Sequence, residues 1–99
     1  MTQEDNFKAL CKLTTKLLGL PKNALAKKSR KQRLQIPRSI VAVIARNEDN
    51  IHRDIIAKVL DRDRSLIYHY EKTHKGYYAS WEDYRNTFNK IYSAYKDIT

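Results

Sequence analysis

Two glycines, two prolines and one cysteine are all that this chain of 99 residues has of those types, and each scarcity closes off a class of protein. So little glycine and proline rules out a loop-rich or collagen-like build. Cys11 has no second thiol to bridge to and no neighbour that would suggest a metal pair or a redox motif. It lies among Phe7, Leu10, Leu17 and Leu18 and reads as a packed core thiol, since free cysteine behaves as a small hydrophobe. No apolar run approaches the roughly 20 residues of a membrane span. Acidic Glu4 and Asp5 stand where a signal peptide needs a basic region. The expectation is a soluble, unprocessed cytoplasmic protein with no membrane partner.

The residues that chemistry needs are also scarce. There is no glycine-rich loop to cradle phosphate. His52, His69 and His74 form no i, i+4 pair with one another and have no cysteine nearby, so the spacing of a zinc site is missing. The acidic pairs Asp61 with Asp63 and Glu82 with Asp83 fall at turns or helix starts, where capping accounts for them better than acid-base work. The chain is expected not to be an enzyme and to carry no cofactor and no metal.

One further absence carries information about partners. From Asn6 to Asn47 there is no acidic residue but 11 lysines and arginines, whereas from Glu48 onward nine basic residues are balanced by nine acidic ones. The whole net charge of +9 therefore belongs to the first half. A one-sided field of this kind repels itself unless a polyanion relieves it. An anionic membrane surface is a poor candidate, because Lys22 to Arg38 has no aromatic-rich apolar face. RNA is disfavoured too: Lys22 to Arg46 contains no Phe, Tyr or Trp on which splayed bases could stack. Double-stranded DNA remains the best partner.

What is present is helical periodicity. The size suits a single domain over residues 1–99. Phe7, Leu10, Leu13, Leu17 and Leu18 predict a helix over 4–18, ended by Gly19 and Pro21. Residues 22–35 read as a short helix through Asn23 to Ala26 and then an exposed basic loop. Pro37, well suited to a first helical position, opens a helix over 37–47 with Ile40, Val41, Val43 and Ile44 inward. Ile51, Ile55, Ile56, Val59 and Leu60 mark the next helix, and Asp61 to Asp63 form a tight turn. A second short helix follows from Arg64 to about Thr73, which makes 51–73 the outline of a helix-turn-helix. Lys75 to Ala79 read as a connector. Ser80 with Asp83 resembles an N-cap pair ahead of a helix over 80–97, in which Trp81, Tyr84, Phe88, Ile91, Tyr92 and Tyr95 keep the 3.6-residue period. No segment alternates with period two, so the class is all-α.

The stretch KKSRKQRLQIPRSIVAVIAR from Lys27 to Arg46, followed by LDRDRSLIYH from Leu60 to His69, resembles the C-terminal box-binding domain of the bacterial replication initiator DnaA. In that family a basic loop precedes Pro-Arg at a helix start, an apolar helix ends in Ala-Lys or Ala-Arg, and a helix-turn-helix carries Gly-Gly-Arg-Asp-His-Thr-Thr-Val-Leu-His. The likeness runs from about Leu18 to Lys72, without the ATPase module. It implies that Arg30 enters the minor groove and that Asp63, Arg64 and Ser65 reach base edges in the major groove. Arg46, Arg53 and His69 would take backbone-contact positions, joined on the phosphates by Lys27, Lys28, Lys31, Arg33 and Arg38. The chain departs from the pattern where Leu60 and Asp61 replace both glycines, Arg64 replaces His and Leu66 replaces the second Thr. A guanidinium at Arg64 favours guanine, whose O6 and N7 it can grip with two bonds.

The function expected is that of a stand-alone regulator of replication or transcription, a nucleoid-associated monomer or weak dimer. It would read duplex DNA with a helix-turn-helix in the major groove and a basic loop in the minor groove. The alternative is a protein-interaction adaptor that docks on a replication or transcription protein through its aromatic C-terminal helix.

Overall fold

Capping chemistry starts the first helix. In a computed structural model, which describes residues 2–27 and 32–98 and only the backbone at 32 and 33, Thr2 accepts the Asp5 N–H at 3.1 Å, and the Asp5 carboxylate accepts the Thr2 N–H at 3.4 Å. This reciprocal box satisfies donors that a helix start leaves open. Helix α1 spans Gln3–Leu17. Gly19 ends it at φ +66°, a left-handed conformation that glycine takes without steric cost, and the Leu20 N–H returns to the Thr15 carbonyl at 2.8 Å. A 3-10 turn, Ala24–Ala26, follows.

Helix α2 spans Gln32–Glu48, so it starts ahead of Pro37 instead of at it. Proline lacks the N–H that would reach back one turn, so α2 forgoes one bond at Pro37. From Ile40 to Ala45 no residue is more than 2% exposed, and a helix apolar all round must be central. The other helices pack around it: α1, α3 (Arg53–Leu60), α4 (Arg64–Ser80) and α5 (Glu82–Ile98). The fold is all-helical, with no strand among the described residues. Phe7, Ile40, Ile44, Ile56, Leu60, Ile67, Tyr84 and Ile91 meet in one core. Cys11 is part-buried at its edge, and burial pushes its thiol up to about 12.

Two further boundaries differ from the sequence reading. Residues 75–79 are not a connector: α4 continues through Gly76 to Ser80. The Ser80 hydroxyl bonds back to the Gly76 carbonyl at 2.7 Å, so Ser80 belongs to α4 and does not cap α5. Packing overrides the weak helix propensity of this stretch, because Tyr70 is buried, while His74 and Tyr78 pack beside Phe88 of α5. Only Trp81, in extended conformation, separates the two helices. Helix α5 then folds back. Its Tyr95 hydroxyl bonds Asp49, its Tyr92 hydroxyl bonds Glu48 at 2.9 Å, and Lys96 reaches Glu48 at 2.6 Å.

Candidate nucleic-acid interface

Helices α3 and α4 are joined by residues 61–63 alone. The joint depends on Asp61, which takes φ +53° and ends α3, a left-handed conformation that aspartate tolerates better than bulkier residues do. Asp63 caps α4. Its Oδ1 accepts the Ser65 N–H at 2.9 Å and the Ser65 hydroxyl at 3.0 Å, and these two bonds hold the carboxyl below its ordinary value. Both side chains were expected at base edges. In the free protein they bond each other at the helix start.

Arg64 stands next to them, half exposed. Its Nη1 lies 3.1 Å from Asp54 Oδ1 and its Nη2 donates to the Tyr68 hydroxyl at 3.3 Å. Beyond it, residues about one turn apart share the outward side of α4. Arg64, Ser65, Tyr68, His69, Lys72 and Lys75 are all exposed, and none is acidic. Glu71 is the one acidic residue between Arg64 and Ser80, and it is turned sideways against α2 and α3. Arg53 grips it with two bonds, at 2.6 and 3.0 Å, and Arg46 lies 3.4 Å away. The outward face of α4 is therefore polar and cationic along its length.

Tyr68, Lys72 and Lys75 were not among the expected contacts. Ending the second helix near Thr73 hid Lys75. Tyr68 and Lys72 fall within the expected helix, and its 3.6-residue period already puts them on the side of Arg64.

The other arginines are arranged differently. Arg38 was expected on a phosphate, and the structure corrects this: it is 1% exposed. Its Nε donates to the Leu25 carbonyl at 2.7 Å, and its Nη2 donates to the carbonyls of Ala24 and Lys27. Burial, and then repulsion from Arg62, lower its pKa from the usual arginine value. Arg62, on the turn, donates to the Asp61 carbonyl at 2.8 Å and also to the Lys27 carbonyl. Two guanidiniums thus converge on one backbone oxygen, the last described before the basic stretch. They fix the root of that stretch against the turn that opens α4.

Arg46 and Arg53, also expected on the DNA backbone, keep only 20% and 27% side-chain exposure and spend charge on Glu71. Arg46 donates besides to the Ile51 carbonyl at 2.9 Å. The side chain of Lys27 is exposed, as is His69. Lys28, Arg30 and Lys31 lie outside the described residues, as does the side chain of Arg33.

Beside the turn lies a half-open cleft of about 870 Å³ between α2, α4 and the start of α5, with Ser39, Arg62, His69, Thr73 and Trp81 in its wall. Among the described residues no His, Cys, Asp and Glu side chains gather in a group that could hold a metal ion, and no helix is long and apolar enough to cross a membrane. Comparison with family models, curated proteins and solved structures finds no match.

Proposed function

We infer that this chain is a sequence-specific double-stranded DNA-binding domain, with no catalytic activity or cofactor, that acts as a stand-alone regulator of replication or transcription. The turn at residues 61–63 and helix α4 serve as a helix-turn-helix, with the start of α4 in the major groove. The basic stretch after Lys27, Arg30 foremost, enters the neighbouring minor groove, because the narrow, strongly negative groove of A·T-rich DNA attracts arginine. The observation that carries this reading is the outward face of α4. From Arg64 to Lys75 it presents only polar, aromatic and cationic side chains, while Glu71 is held by Arg46 and Arg53.

A helix start directed at the groove adds the positive end of the helix dipole, which the capping Asp63 carboxylate offsets in part. Where the basic loop begins matters equally. Arg38 and Arg62 hold the Lys27 carbonyl, so the basic stretch begins beside the turn that opens α4, on the side of the proposed major-groove helix. The exposed lysines supply sequence-independent attraction, and Arg64 supplies selection.

A salt titration of duplex binding tests the reading. About six phosphate contacts should give a slope near −5 when log affinity is plotted against log salt. Selection from a random duplex pool should enrich a short motif. A flat pool together with a slope near zero would leave the adaptor reading in its place.

A further inference from the structure

We propose that Asp54 and Tyr68 are positioning residues for Arg64, so that the three side chains form one base-reading unit on the outward face of α4. This rests on the DNA-binding reading and adds to it the groups that determine selectivity. Arg64 projects from the first turn of α4, where an unsupported arginine would sample many rotamers and lose that freedom on binding. Here it is braced on two sides, by Asp54 of α3 on Nη1 at 3.1 Å and by the Tyr68 hydroxyl one turn along α4 on Nη2 at 3.3 Å.

The braces are themselves held. Asp54 is on the first turn of α3, where its own N–H is bonded by His52 Nδ1 at 3.1 Å. The Tyr68 ring lies 4.3 Å below the guanidinium carbon of Arg53, and Arg53 is fixed by two bonds to Glu71. A cation over a ring face is attracted to it, and a bidentate carboxylate pair leaves the guanidinium little freedom. The order built into Glu71 and Arg53 therefore passes through Tyr68 to Arg64.

Donor counting supports the same assignment. A guanidinium has five N–H groups. One on Nη2 donates to Tyr68, and Nη1 stands against Asp54 as an ion pair at 3.1 Å, which leaves the others for O6 and N7 of a guanine. The Tyr68 hydroxyl accepts from Arg64, so its own proton is free to donate to an oxygen of the DNA. An exposed surface ion pair would be worth little as a stabilising contact. Its use is to hold the reading group in place before the DNA arrives.

The test uses the duplex that the wild-type protein enriches from a random pool, and the same duplex with its most selected guanine replaced by adenine. The wild-type protein should prefer the first, and Arg64→Ala should abolish most of that preference. Asp54→Asn and Tyr68→Phe should each reduce the preference by about five- to tenfold while keeping Arg64 and the fold. In the Arg64→Ala background neither change should reduce it further, because nothing remains to position. Asp54→Glu, which restores a carboxylate, should recover part of the preference.

Undiminished preference in both Asp54→Asn and Tyr68→Phe would overturn the positioning role. So would Asp54→Asn tightening both duplexes equally, which would make Asp54 a simple repeller of phosphate. If the wild-type protein enriches no motif at all, the DNA-binding reading itself fails, and that result is distinct from the other two.

Discussion

The inward arginines of α2, α3 and the turn at 61–63 and the cations of the outer face of α4 are alike in charge and opposite in use. Arg38, Arg46, Arg53 and Arg62 turn toward backbone carbonyls and Glu71. Arg64, Lys72 and Lys75 turn toward solvent. The inward set assembles a platform and the outward set charges it. The difference lies in what surrounds each side chain, not in its type. A planar guanidinium with a fixed fork of donors can gather several carbonyls at once, which an ammonium cannot do, and the inward positions are all arginine.

Breaking the inward set should give the largest effect. Arg38→Met leaves the Leu25 carbonyl without its donor, while the Ala24 carbonyl keeps the Lys27 N–H and the Lys27 carbonyl keeps Arg62. A buried acceptor left unpaired costs about 1 to 3 kcal/mol, and a loss of that size in stability is expected by urea unfolding. Arg38→Lys should recover little of it. If Arg38→Met unfolds at the same urea concentration as the wild type but binds DNA less well, Arg38 belongs with the outward set after all.

Glu71→Gln should shift residues from one set to the other. It removes the carboxylate that holds Arg46 and Arg53, and the loss of the bidentate pair should lower stability slightly. The same change sets two guanidiniums free beside α4. Duplex binding should then tighten, and its salt slope should steepen by about one to two. Loss of stability with no change in slope would mean that neither arginine comes within reach of a phosphate.

This contrast also marks how far the residues could be read without the structure. Apolar spacing located the buried sides of α1 and α5 to within a residue or two, because period and burial are the same physical fact. Pro37 misled, since proline suits a first helical position and nothing local says that five residues of helix precede it. Lys75 to Ala79 misled for a related reason: their helix is stabilised by Tyr70, His74 and Tyr78 packing beside α5, which is tertiary and leaves no local mark. The arginines were the hardest. A phosphate and a backbone carbonyl make the same demand on a guanidinium, so Arg38 before a helix and Arg64 at a helix start look alike until their neighbours are known.

A smaller effect is expected from the outer face. Lys72 and Lys75 are exposed, and neither meets an acidic partner among the described residues. Lys72→Ala should change stability by less than about 0.5 kcal/mol. It should weaken binding to every duplex about equally and make the salt slope shallower by about one. A loss confined to one sequence would move Lys72 from the phosphates to a base edge.

The smallest effect separates two histidines of α4 by the same inward and outward division. His69 is exposed, while His74 is part-buried, with Nδ1 2.8 Å from the Tyr84 hydroxyl and its ring 4.9 Å from that of Phe88. Burial lowers the His74 pKa from 6.5. The folded protein then keeps this ring neutral at a pH where the unfolded chain already binds a proton, so the unfolded state is favoured as pH falls. Stability should start to decline as pH drops through about 6.5, where unfolded histidine titrates, and this contribution should level off below the folded-state value. Glu4, Glu48 and Asp63 have lowered values and contribute only in more acid solution. Urea unfolding between pH 7.5 and 5 therefore reads the histidine range. His74→Gln keeps a hydrogen-bonding group for the Tyr84 hydroxyl but cannot titrate, and should flatten the decline. If the decline persists unchanged in His74→Gln, the ring of His74 is not held neutral by its surroundings, and the aromatic packing between α4 and α5 is looser than the distances indicate.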